Sequence, residues 1–464
     1  MGHKLKFVVS DLHIGAGHRN NGGNYLEDFT ADEMLADFLR EMQYESENDQ
    51  REIELIINGD FLEFLQVPAV ENYNPQEFYP ASAYLDSSEA ASLRRLDIIV
   101  EGHPEIFNAL SDFLHVKTPQ RRITIIKGNH DVNLYWPGVK SRLREVLGAS
   151  GLRASLLLFA AEFVSREKIY VEHGHQRTET INSYPDFLDP RLPHDLTQLY
   201  YPAGSHFVIN YLNNIEHERW FVDSIKPMTT LIWYAFRWDF NLAAQIFLNF
   251  VRYVSELAAS DHEPAAPVEA LLQGLESEER RRVMSQRYAK DSAFRRRFHQ
   301  QVQHYLANVN RAAESVARSS AVDAPPDPLA LGRAEQAHQQ SILRRAAEKI
   351  ARQEGAQVIL FGHTHHPVQE SLTNGAVYIN TGCWVEDFSD DPPETWADLF
   401  QGLRQYGDTL GRLPYARIDY AENEQPTGRL LYFANPNPIS EANGQFKSFF
   451  ERNFNWLIKL FRPA

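Results

Sequence analysis

Phe7-Val8-Val9-Ser10-Asp11-Leu12-His13 is the stretch that decides how this chain is read. Its apolar start predicts a buried strand, and just past the strand end a carboxylate and an imidazole stand two positions apart. Side chains at i and i+2 of a strand share a face, so a turning chain can direct Asp11 and His13 onto one ion. An Asp-x-His alone means little. Here it opens a series, each member following a predicted strand: Gly59-Asp60, Gly128-Asn129-His130-Asp131, His173-Gly174-His175 and Gly362-His363-Thr364-His365.

These segments offer carboxylate oxygen, amide oxygen and imidazole nitrogen. A mixed O/N set suits Mn, Fe or Zn better than Ca or Mg, and the lack of thiolates argues against a structural zinc cluster. Each piece has a plain reading on its own. Gly59-Asp60 is a turn, His173-Gly174-His175 a loop, Asn129-His130 a helix cap. Five such pieces in series, all at strand ends, are not explained that way.

With 464 residues the chain is long enough for two or three domains and a large core. Hydrophobic residues make up 43% and charged residues 23%, which describes a soluble globular protein. A net charge of −16 argues against a general nucleic-acid binder. Cys383 is the single cysteine, so no intramolecular disulfide forms, and a reducing, cytoplasmic setting is expected. The N-terminus lacks the apolar core of a signal peptide. The most apolar stretch, residues 229–257, is interrupted by Arg237, Asp239 and Arg252, too often for an ordinary membrane span.

Strands are expected at residues 5–9, 54–58, 123–127 and 169–172, with helices at 30–42 and 104–114 between them. Thr30 and Glu33 have the spacing of a capping box. Residues 66–92, rich in Pro, Tyr and Asn, predict a long surface excursion. Alternating strands and helices indicate a layered α/β architecture whose ligands gather at the carboxyl ends of the strands, where every motif falls. From 184 to 354 no convincing strand is seen and helical patterns dominate. Strands return at 357–361, 377–380, 415–420 and 430–433.

Taken together, the five motifs resemble the calcineurin-like metallophosphoesterase superfamily. The resemblance implies an α/β, four-layer αββα sandwich with a large helical insertion. The parts would be 1–183 (first part of the core), 184–354 (insertion, a substrate cap or interaction unit), 355–435 (second part of the core) and 436–464 (C-terminal amphipathic helix). It implies two divalent metal ions, Mn²⁺ foremost with Fe or Zn as alternatives. Asp11, His13 and His365 would hold one, Asn129, His173 and His363 the other, with Asp60 shared. His130 would act on the leaving-group oxygen, and Asp131 would orient its ring. His173 is favoured over His175 as the ligand because the strand presents it directly.

The implied activity is phosphomonoester or phosphodiester hydrolysis by a metal-bridging hydroxide, with His130 as general acid and a small phosphorylated substrate. Gly59-Asp60-Phe61-Leu62-Glu63 is also similar to the UDP-2,3-diacylglucosamine pyrophosphohydrolases, although those carry Arg at the position of His130 and are about half as long. A lipid or nucleotide-sugar phosphate is therefore the alternative substrate, and a non-catalytic scaffold on the same fold the alternative of another class. Cys383 is expected to be packed, and the basic residues from Arg280 to Arg297 to form a solvated helix face. The apolar face of 446–461 is a candidate for peripheral membrane contact, against docking on the protein itself. The oligomeric state is left open.

Overall fold

The computed structural model describes residues 4–18, 23–114, 118–178, 180–226, 228–257, 266–309, 328–389, 391–404 and 412–434. The chain is a mixed α/β protein. One sheet holds six strands: β1 (Lys4–Val9), β2 (Glu52–Asn58), β3 (Arg121–Ile126) and β4 (Leu157–Ala160) run parallel in that order, and β12 (Arg412–Tyr420) and β13 (Pro426–Ala434) add antiparallel beside β1. A second sheet has the order β10 (Pro367–Ser371), β11 (Val377–Thr381), β9 (Val358–Phe361), β6 (Ile169–Glu172), β5 (Phe163–Arg166).

Period-two alternation sorts each strand's side chains into layers. Val8, Ile56 and Ile126 of the first sheet meet Val171, Leu360 and Ile379 of the second in one apolar cluster. The alternate residues, Phe7, Leu55 and Ile125, turn to the other face and pack with Leu35, Phe38 and Leu39 of α1 (Asp32–Asp49). On the second sheet, Tyr170, Ile359 and Phe361 pack with Leu343, Ala347 and Ile350 from the helix Pro328–Glu354. Between the sheets lies a buried ionic group: Lys6 contacts Glu54 and lies 2.8 Å from Glu167, and Arg166 also reaches Glu54. Burial alone would raise the Glu54 carboxyl, but Lys6 and Arg166 hold it below its ordinary value.

Several elements depart from the sequence expectations. Helix α1 starts at Asp32 and runs to Asp49, and neither Thr30 nor any other side chain caps it. The reason is that Glu27 holds the preceding loop, accepting from Gly15 N at 3.2 Å and Phe29 N at 3.0 Å, so the helix begins only beyond Phe29. The 66–92 excursion is tied down by α2 (Glu89–Gly102), whose fully buried Arg95 donates to the carbonyls of Val67, Tyr84 and Asp86. Between 184 and 354 there is a short hairpin, β7 (Arg191–Leu192) with β8 (Asp195–Leu199), too brief to show an alternating pattern.

The 229–257 stretch is two helices, α3 (Met228–Trp238) and α4 (Phe240–Leu257), divided at Asp239, whose carboxylate accepts from Leu242 N. Among the described residues no helix is long and apolar enough to cross a membrane. The basic residues fall on the helices Glu278–Lys290 and Ser292–Val309. Residues 446–461 lie outside the described part.

Candidate metal centre

The loops that follow β1 and β2 continue side by side beyond the strands. Asp11 N donates to Gly59 O at 3.2 Å, His13 N to Asp60 O at 2.9 Å and Ile14 N to Phe61 O at 3.1 Å. The other sheet joins the same end: Gly362 N donates to His173 O at 2.8 Å, and His363 N to both Asp11 carboxylate oxygens at 3.0 and 3.1 Å. Five of the residues brought here have left-handed backbones: Asp11 (φ 53°), His13 (47°), Asp60 (47°), His363 (69°) and His365 (61°). Side chains other than glycine rarely adopt that region, and its cost is tolerated where the surroundings over-determine it. The turns require glycine beside them. A Cβ on Gly59 would sit 2.4 Å from the His173 ring, and one on Gly128 only 2.1 Å from Asp60 Oδ1.

Two trios of donors result, buried except for the half-buried His363. Asp11, His13 and His365 have ligand atoms within 4.8 Å of one another, and so do Asp60, His173 and His363. Asp60 lies between them, its Oδ2 3.0 Å from His173 Nε2 and 3.9 Å from His13 Nε2. Asn129 Oδ1 is buried without a hydrogen-bond partner. All seven residues singled out as ligands in the sequence thus converge on the same ends of the two sheets.

The imidazoles are prepared from behind. His173 Nδ1 donates to Asn58 O at 2.9 Å, and His13 Nδ1 to Glu63 Oε2 at 2.8 Å, which turns each Nε2 toward the donor side. His13 Nε2 faces His365 Nε2 at 3.2 Å. Two imidazole nitrogens, a carboxylate and an unpartnered amide oxygen directed into one buried space are a donor set that fits hard-to-borderline divalent cations. The carboxylates and rings compensate one another's charge. Burial disfavours a charged His173, but Asp60 and Asp11 outweigh it and push the ring up to about 10. Burial would likewise raise Asp60, yet His173 and His130 hold it well below the carboxylate range. His363 and His365 are driven well down, chiefly by burial, and so are kept neutral.

His130 donates from Nδ1 to Glu63 Oε2 at 2.6 Å, and its ring lies 4.6 Å from that of His13. Burial works against its charge, but Glu63 and Asp60 raise it to about 9. The expectation that Asp131 orients this ring is corrected. Asp131 accepts instead from the backbone N–H groups of Gly128 at 2.5 Å and Phe61 at 2.8 Å, joining two motif loops, and Glu63 is the ring's partner. An adjacent residue in a tight turn points its side chain elsewhere, whereas Glu63 reaches across from the neighbouring loop. The Glu at 63 was in view as part of a motif, but nothing local to it signalled this role.

His175 is buried without a hydrogen-bond partner on either nitrogen, its ring 4.4 Å from that of Phe187 and 5.4 Å from that of His173. Cys383 is buried, its Sγ 3.4 Å from Val385 O, and burial pushes the thiol well up. A cavity of about 100 Å³ opens against Asp60, Asn129, His130, His363 and His365.

No family model matches the chain, and no curated protein matches it. Among solved structures it is similar to a dimetal phosphatase from Danio rerio, at 13% identity over 94% of this chain and 99% of that one, with a TM-score of 0.30. A likeness at that level carries no argument, and the chemistry rests on the site itself.

Proposed function

We propose that this chain is a dinuclear metal-dependent phosphoesterase of the calcineurin-like metallophosphoesterase kind, its two face-to-face sheets and outer helices being the four-layer αββα arrangement. The observation that carries this reading is the pair of donor trios, Asp11–His13–His365 and Asp60–His173–His363, with Asp60 Oδ2 also 3.9 Å from His13 Nε2 and Asn129 Oδ1 unpartnered beside them. Asp11, His13 and His365 would hold one ion, Asn129, His173 and His363 the other, and Asp60 both. The mixed donors favour manganese, with iron and zinc acceptable to the same set. When bound, such a pair supplies an acidified water and neutralises charge on the phosphoryl oxygens.

The chain's own groups do the rest. Glu63 fixes the His130 ring through Nδ1, which leaves Nε2 as the atom able to pass a proton to the departing oxygen. Asp131 keeps the Gly128 and Phe61 loops in register, so that Asp60 and Asn129 face the same space. Residues 1–183 and 355–435 form the core in this reading, and 184–354 the insertion that covers it. A non-catalytic scaffold is the weaker reading, because it leaves the strained backbone at five donor positions without a use.

The test is metal analysis of the purified chain together with hydrolysis of chromogenic phosphomonoesters and phosphodiesters in Mn²⁺. Two ions per chain and hydrolysis are expected. His130→Ala should lower turnover by at least about 100-fold with metal content near wild type. If His130→Ala lost both metals, or the wild type bound none, the assignment would be wrong.

A further inference from the structure

Beside the donor residues, the cavity is walled by the segment after residue 180 and by the first helices of the insertion. Ile181, Phe207, Leu212, Met228 and Phe250 give it a mostly apolar lining, with polar Asn182, Ser205 and Gln339 among them, beside Asp60, Asn129, His130 and His363. One lining residue brings a full positive charge. Lys226 lines the same cavity, and among the described lining residues it is the one lysine or arginine. Its Nζ donates to Asp223 Oδ1 at 2.6 Å, and the Asp223 side chain is 4% exposed, that of Lys226 20%. Its backbone N–H donates to Ser389 Oγ at 2.8 Å, which anchors this point of the insertion to the loop beyond β11. An ammonium has three donors. With one taken by Asp223, the side chain is held in place and two donors are left for an oxygen in the cavity.

Resting on the phosphoesterase reading, we propose that the insertion builds the substrate half of this site: Lys226, positioned by Asp223, clamps a phosphoryl oxygen, and the wall of Phe207, Leu212, Met228 and Phe250 receives an apolar ester substituent. Because the larger part of the wall is apolar, the substrate class is a phosphoester of an apolar alcohol in preference to one of a sugar or other polyol. The charges around the ammonium support a clamp. Burial opposes its charge, but Asp223 and Asp28 outweigh this and hold it protonated. A charge-assisted hydrogen bond from a lysine to phosphate is strong because one partner is already ionised and fixed. The cavity's volume of about 100 Å³ has room for a phosphoryl group and the first few carbons of its ester.

Two non-hydrolysable probes of similar size separate the possibilities: butylphosphonate and 3-hydroxypropylphosphonate, titrated calorimetrically into the full chain with and without Mn²⁺. The butyl probe should bind about ten-fold or more tightly, since a hydroxyl entering an apolar wall loses its water without a new partner. Phe250→Asn should bring the ratio of the two affinities toward one. Lys226→Met should weaken both probes by about the same factor, on the order of ten-fold, and Lys226→Arg should recover most of it. The double variant Asp223→Asn with Lys226→Met removes both charges together. It should show the same weakening without the cost of a buried unpaired carboxylate.

Equal affinity for the two probes, in a protein that hydrolyses phosphoesters, would overturn the apolar substrate class and leave the dinuclear reading standing. Unchanged binding in both Lys226→Met and the double variant would overturn the clamp. A protein that neither binds the phosphonates nor hydrolyses any phosphoester in Mn²⁺ would remove both inferences at once.

Discussion

Glu63 serves two imidazoles with one oxygen, 2.8 Å from His13 Nδ1 and 2.6 Å from His130 Nδ1. Burial would raise its carboxyl, but His130 and His13 hold it at about 2, so it stays ionised and an acceptor for both rings. Groups behind a ligand tune its basicity and orientation. Glu63→Gln should therefore weaken Mn²⁺ binding by about 10–100-fold and also slow turnover, measured by competition with a fluorescent chelator. Unchanged affinity would show that Glu63 does not support His13. His103 is a residue where pH acts away from the centre. It lies 2.7 Å from Asp32 Oδ1 and 3.3 Å from Glu27 Oε2. Burial lowers it, but Glu27 and Asp32 win and raise it from the ordinary 6.5 to about 10. A raised folded value stabilises fully below the unfolded one and is lost as pH climbs through the folded one. His103→Leu should cost about 3 kcal/mol near pH 6, and the gap in melting temperature from wild type should shrink as pH approaches 10. A gap that widened with pH would contradict the ion pairing.

At the scale of elements, the turns after strands matter more than the strands. Gly128 has Asp60 Oδ1 within 2.1 Å of where a Cβ would stand, and the Asp131 carboxylate accepts from its N–H. Gly128→Ala must displace Asp60 or the loop. Stability should fall by about 2 kcal/mol and bound metal should drop well below wild type, by denaturant titration and elemental analysis. Retained metal and stability would mean that the loop has slack. Which elements were legible in the sequence follows from their length and pattern. β1, β2 and β3 showed as apolar runs closed by motif residues, and Leu35, Phe38 and Leu39 marked the face of α1. Short strands showed where they are fully buried, as β6 and β9 are, and not where they lie near the surface. β5 and β10 are four and five residues long and largely exposed or half-buried, so their sequences carry neither a continuous apolar run nor a clean alternation.

At the scale of the molecule, the two sheets stand or fall by their shared layer. Leu360, fully buried among Val8, Ile56 and Val171, should cost about 2–5 kcal/mol as Leu360→Ala, read from urea unfolding. A much smaller loss would mean that the sheets repack easily. Tyr234 of α3 joins the helical segment to the later part of the chain: it stacks on Trp396 with ring centroids 3.6 Å apart and donates to Ser389 O at 2.9 Å. What the sequence by itself determined was the kinds of donor, their order, and their position at the ends of apolar runs. These are properties of adjacent residues and of strand periodicity. Only the tertiary structure decided that Glu63, and not neighbouring Asp131, holds the His130 ring, and that Lys226 and a mostly apolar wall line the cavity with the candidate donors. Glu63 and His130 are 67 positions apart, and a contact over such a distance is set by how loops and layers pack, which no local pattern of residues records.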